Sequence, residues 1–121
     1  LKESSYIHSA AFPGGELKHG PIALIEKNTT VIGILTAEHL TEKSISNLQE
    51  GISRGAKTLI ITNTDSNIYN FDMIVQVPKT NVFLTPIISI LPLQLLAYYI
   101  AKEKKLDVDK PRNLAKSVTV E

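Results

Sequence analysis

Two apolar runs decide the fold: Thr29-Thr30-Val31-Ile32-Gly33-Ile34-Leu35-Thr36 and Thr58-Leu59-Ile60-Ile61-Thr62. Both are rich in β-branched residues, and neither alternates with polar ones as a strand with one wet face would. They read as strands covered on both faces, the pattern of a parallel sheet. Between them Ile45, Leu48 and Ile52 form one apolar helical stripe. Thr41 is expected to cap that helix, which runs to about Arg54, with Glu42 in its first turn, Leu40 and Ile45 as a hydrophobic staple, and Gly55 as its stop. Residues 63–67 read as a turn, and Met73-Ile74-Val75-Gln76-Val77 as a third strand closed by Pro78. Thr85 and Pro86 open a long helix that reaches about Lys105, and Pro92 should kink it or mark its true start. The order strand, helix, strand, strand, helix predicts an α/β fold: an open parallel sheet with flanking helices on both faces, three-layer αβα and Rossmann-like.

Outside this block the pattern is weaker. Residues 1–11 read as the end of a helix stopped by Pro13-Gly14-Gly15, and residues 16–27 as turns or short helical pieces around Gly20-Pro21. A chain that opens in helix without a start methionine is expected to be an N-terminally truncated piece of something longer. Asp107 to Glu121 has no helical period and reads as a tail.

Composition narrows the function. The 121 residues, 43% hydrophobic and 21% charged, suit one core. The absence of cysteine removes disulfides, zinc–thiolate sites and cysteine nucleophiles. A formal charge of +1 argues against nucleic acid as a partner. Thr80 to Ala101 carries no charge, but Pro86, Pro92, Asn81, Thr85, Ser89 and Gln94 interrupt its apolar character. A helix buried in a core, not a membrane span, is the expectation, and with it a cytoplasmic protein.

No Gly-x-Gly-x-x-Gly and no Walker loop follows a strand, so no nucleotide cofactor is expected. The hydroxyl-rich turn Thr62 to Asn67 lies at a strand's C-terminal end, where α/β sheets bind ligands, yet any turn has that composition. If the first helix continues, Glu3 shares its face with Ile7, Ala10 and Ala11; a dry carboxylate there would be a proton carrier, a wet one merely solvated. His19 sits in Gly15-Glu16-Leu17-Lys18-His19-Gly20-Pro21, an irregular and fixed backbone suited to a proton shuttle. Glu16 and His19 have Glu-x-x-His spacing, but a carboxylate-bridged metal site needs two such motifs on a helix bundle, so no metal is expected. His8 and His39 lack such a setting. Lys116 would be an amine nucleophile if Leu114, Ala115, Val118 and Val120 dock the tail, and a solvated lysine if they do not.

Lys2-Glu3, the stretch from Gly15 to Pro21, Pro92-Leu93-Gln94-Leu95-Leu96-Ala97-Tyr98, and the tail Asp107-Val108-Asp109-Lys110-Pro111-Arg112-Asn113-Leu114-Ala115-Lys116-Ser117-Val118-Thr119-Val120-Glu121 together resemble the C-terminus of the isomerizing glutamine–fructose-6-phosphate aminotransferases. The resemblance implies residues 1–106 as part of a second sugar isomerase (SIS) domain and 107–121 as a catalytic tail. It implies that Glu3 moves a proton between C1 and C2 of the sugar, that His19 opens the ring from across a dimer interface, and that Lys116 forms a Schiff base with the open-chain ketone. Ala115 and Lys116 are the implied sugar contacts. Fructose 6-phosphate, a glutaminase domain, a first SIS domain on the same parent chain, and a homodimer are the implied partners. The family's phosphate-binding Ser/Thr loop belongs to the first SIS domain, and the turn Thr36-Ala37-Glu38 lacks its serine pattern. A non-catalytic SIS module that senses a phosphosugar is the competing reading, and it leaves Lys116 without a task.

Overall fold

The computed structural model describes residues 1–65 and 70–114. Its elements are α1 (Lys2–Ser5), 3-10 helices at Gly14–His19 and Pro21–Leu24, β1 (Thr30–Leu35), a 3-10 turn at Glu38–Leu40, α2 (Thr41–Ile52), β2 (Lys57–Thr62), β3 (Met73–Gln76) and α3 (Thr85–Glu103). They fall into two compact units, one of Ala11–Pro92 and one joining Leu1–Ala10 to the chain from Leu93 onward.

The first of these units holds the sheet. Its three strands lie in the order β1-β2-β3, all parallel, with Ile32 beside Leu59 and Ile60 beside Ile74. The continuous apolar strands thus form the parallel sheet with flanking helices that their pattern predicts. β2 is central and buried from Thr58 to Thr62, with Ile60 and Ile61 at 0% exposure. Each such side chain contributes about 1.5–3 kcal/mol by leaving water. The stripe of α2 meets this sheet: Ile45 and Leu48 pack with Leu35 and Ile60, and Val31 and Phe71 close the cluster. Gly33 makes the fit possible. A Cβ there would stand 2.8 Å from Ile60 Cδ1 and 2.9 Å from Leu48 Cδ1.

Polar side chains finish the strand ends. The Thr58 N–H and hydroxyl both donate to Asp72 Oδ2, at 2.7 and 2.9 Å, and the Asp72 N–H donates back to the Thr58 hydroxyl at 3.0 Å. Thr58 and Asp72 immediately precede the first paired residues of β2 and β3, Leu59 and Met73, so this exchange fixes where the two strands begin to pair. The Asp72 carboxyl is held below its ordinary 3.8, first by the Thr58 backbone N–H and then by the Thr58 hydroxyl.

Several local expectations are corrected. α1 ends at Ser5, because Tyr6 turns left-handed with φ 57° and ψ 31°, and the helical face joining Glu3 to Ile7, Ala10 and Ala11 does not form. Thr41 is not the cap of α2: Leu40 holds that position, and the Thr41 hydroxyl donates back to the Ala37 carbonyl. Leu40 is exposed and cannot staple the helix to Ile45. Gly55, at φ +90°, does end the turn after α2. α3 runs from Thr85 through Pro92 without restarting there. By length and composition alone it could cross a membrane. It is also not the buried core helix expected: Ile87, Ile90, Leu91, Leu95, Tyr98 and Tyr99 are all exposed. Ser89 is its anchored residue, buried and donating to the Thr85 carbonyl and to Thr36 Oγ1.

Gly33→Val is expected to lower the midpoint of urea unfolding by an amount equivalent to about 1–3 kcal/mol, as for an overpacked core. Gly33→Ala should fall at the lower end, since the atoms in the way are side-chain ends; equal stability of all three proteins would refute the close approach. For Asp72 the sign follows from its lowered folded pKa. Its contribution is complete above the unfolded value near 3.8 and disappears as pH falls through the lower folded value. Asp72→Ala should therefore show a lower urea midpoint at pH 7 and less further loss on acidification, both read by far-ultraviolet circular dichroism.

Candidate functional site

Glu3 lies in the single turn of α1 and is exposed. That turn is tied down by its neighbours. Ser5 is completely buried, and its hydroxyl donates to the Leu1 carbonyl at 2.8 Å. The Lys104 ammonium, just beyond α3, donates to the Ser5 carbonyl at 2.6 Å. One residue on, the Tyr6 hydroxyl accepts the Arg112 backbone N–H at 2.8 Å, and the Arg112 guanidinium stands over the Tyr6 ring, 4.0 Å from its centre. An open cleft of about 300 Å³ lies here, lined by Lys2, Tyr6, Ile7, His8, Arg112 and Asn113. His8 is exposed and also lines this cleft, beside the Glu3 turn. Sequence patterning missed Tyr6 and Arg112, because nothing local joins residues 106 positions apart.

The tail is described only as far as Leu114, which is 54% exposed and is not docked as the nucleophile reading expected. Ala115 and Lys116 lie outside the described residues, as do Val118 and Val120.

His19 belongs to the other unit. It is exposed and ends the 3-10 helix Gly14–His19, where Glu16 bonds back to the Pro13 carbonyl. Gly20 then takes φ 139° and ψ −54°, a conformation that side chains rarely adopt, and Pro21 starts the next 3-10 helix. The irregular, fixed backbone read from the sequence is therefore present, produced by glycine freedom followed by proline restraint. Lys18 adds a 2.8 Å ion pair to Glu50 of α2, half exposed and worth little by itself. No cluster of three metal-ligating side chains occurs among the described residues.

The C-terminal ends of β1 and β2 carry hydroxyls, as the turn suggested, but these serve the protein. Thr62 Oγ1 donates to the Leu35 carbonyl at 3.0 Å and is hydrogen-bonded to Thr64 Oγ1 at 3.1 Å. Asn63 Nδ2 donates to the Thr36 carbonyl. The following turn carries Glu38, whose carboxyl Lys79 holds below the usual range by a 2.9 Å hydrogen bond and its charge.

The chain has relatives among known proteins. The SIS domain model matches residues 1–103, and the chain belongs to that family. Within it the chain is 55% identical over 125 residues to glutamine–fructose-6-phosphate aminotransferase [isomerizing] from Clostridium perfringens, across 100% of this chain and 20% of that protein. The enzyme of the same name from Lactiplantibacillus plantarum is 55% identical over 121 residues, with the same coverage. The C-terminal domain of glucosamine-fructose-6-phosphate aminotransferase from Francisella tularensis has a TM-score of 0.84 and 41% identity, over 91% of this chain and 32% of that one. The chain therefore spans about a fifth of the length of the curated relatives it matches.

Proposed function

We propose that this chain is the C-terminal isomerase portion of an enzyme that converts fructose 6-phosphate and glutamine to glucosamine 6-phosphate and glutamate. The observation that carries the reading is the match of the entire chain, tail included, at 55% identity to an aminotransferase of that name. The SIS fold and the agreement with a C-terminal domain of the same activity support it. The remaining four-fifths of such an enzyme would supply the glutaminase domain, the first SIS domain and the phosphate cradle. A cytoplasmic homodimer, in which His19 reaches the neighbouring subunit's sugar, completes the proposal.

The chemistry assigned to this chain is proton and imine chemistry. His19 moves a proton between the ring oxygen and the anomeric hydroxyl, opening the sugar. The Lys116 amine, once it has lost its proton, adds to the C2 ketone and water leaves, giving an imine. Ammonia released from glutamine takes the place of the lysine, because the product carries its nitrogen at C2. Glu3 takes a proton from C1 and returns it to C2, the proton of the C1 hydroxyl ends on the nitrogen, and the 2-amino aldose results. No metal or redox cofactor is needed to balance these steps.

Borohydride added to the full-length protein with fructose 6-phosphate is expected to trap a covalent sugar adduct at Lys116, located by peptide mass. Lys116→Arg should lose the adduct, since guanidinium stays protonated. Trapping at Lys2 or Lys18 would overturn the assignment. Glu3→Gln should slow exchange of the C1 proton with deuterated water by about 10² to 10⁴, the usual contribution of a general base. Undiminished exchange would remove Glu3 from the mechanism.

A further inference from the structure

We infer that Tyr6 is a positioning residue, which clamps the chain at Arg112 and so sets the point from which the chain continues toward Lys116. The inference rests on the role of Lys116 proposed above.

Two observations on Tyr6 converge. It takes the left-handed conformation at φ 57°, where glycine or asparagine would sit with less strain and a bulky aromatic is rare. Both functional parts of its side chain are nevertheless engaged with one residue: the hydroxyl accepts the Arg112 N–H at 2.8 Å, and the ring lies 4.0 Å beneath the Arg112 guanidinium. A residue needed only to end α1 would use neither part. The side chain thus explains a choice that the backbone alone disfavours.

The receiving segment is held at two points. Ser5 and Tyr6, consecutive residues, grip Lys104 and Arg112, eight positions apart. Between them Asp107 Oδ1 accepts the N–H groups of Asp109 and Lys110, which folds the connection onto itself. Immediately after the clamp Asn113 is also left-handed, at φ 61°, so the chain turns there. From Arg112 to Lys116 is four residues, a reach of at most about 14 Å. Tyr6 stands three residues after Glu3. One aromatic side chain therefore couples the turn bearing the proposed base to the start of the segment bearing the proposed nucleophile. A nucleophile on an untethered terminus must be oriented at each turnover, and tethering removes much of that entropy.

The test uses the full-length protein and four variants. Tyr6→Asn removes ring and hydroxyl while suiting the left-handed backbone, so α1 should still end as it does. Tyr6→Phe keeps the ring and loses the hydroxyl. Arg112→Lys and Arg112→Ala grade the partner. Tyr6→Asn and Arg112→Ala are expected to lower kcat with fructose 6-phosphate about 10- to 100-fold, as for a displaced reacting group, with KM within about twofold. Tyr6→Phe and Arg112→Lys should fall between them and the unmodified protein. Borohydride trapping at Lys116 should slow in parallel, glutamine hydrolysis should stay unchanged, and trypsin should cleave after Lys116 faster in Tyr6→Asn. Wild-type kcat in Tyr6→Asn, or a tail cut no faster than in the unmodified protein, would overturn the inference. So would equal losses in kcat and in glutamine hydrolysis, which would mark general unfolding. If the unmodified protein traps no sugar at Lys116, the proposed role of that lysine fails, whereas the tryptic rate still decides whether Tyr6 holds the tail.

Discussion

The central strand β2 has to be covered on both faces and paired on both edges, and the rest of its unit follows from that requirement. Five consecutive residues, Thr58 to Thr62, are buried. Their backbone groups find partners in β1 and β3, and their side chains find them in the α2 stripe on one side. A parallel pair cannot be joined by a short hairpin, so the chain must cross over between β1 and β2, and α2 is that crossover. Gly33 lets the crossover lie close, since a side chain there would occupy the space of Leu48 and Ile60. His19 and Gly20 precede β1 in this same unit, and their loop is braced on α2 through Lys18 and Glu50.

Polar side chains act where regular structure ends. The Thr58 N–H with the Asp72 carboxylate starts the β2–β3 ladder, Thr62 with the Leu35 carbonyl closes the β1–β2 ladder, and Tyr6 with the Arg112 N–H holds an irregular segment. Each joins a side chain to a backbone group far away in sequence, and each meets a donor or acceptor that no helix or strand satisfies. Such contacts leave the ladders short and still well defined. The first of them also makes the stability of the sheet depend on pH, because Asp72 Oδ2 accepts its two hydrogen bonds more strongly when the carboxyl is ionised.

α3 poses the opposite problem. A helix apolar on all sides is one that its sequence marks for burial. Among the described residues Ser89 and Ala101 are its buried positions, while Ile87, Leu91 and Leu95 are exposed. Apolarity measures the tendency to leave water and carries no information on which surface will supply the cover.

The sequence by itself determined the three parallel strands, α2, the span of α3 and the glycine-turned loop around His19. These signals are local: β-branched runs without alternation, a 3.6-residue stripe, and a glycine before a proline. Its resemblance to the aminotransferase tail singled out Glu3, His19 and Lys116, which patterning alone left as candidates. Tertiary structure decided what depends on contacts between distant residues. It ended α1 at Tyr6 and gave Asp72 to Thr58. It placed His8 on a cleft and Arg112 on the Tyr6 ring. It also left α3 open to solvent. Hydrophobic period and turn chemistry act over a few residues and can be read along the chain. A clamp across 106 positions exists only once the chain has folded and brought its partners within hydrogen-bonding distance.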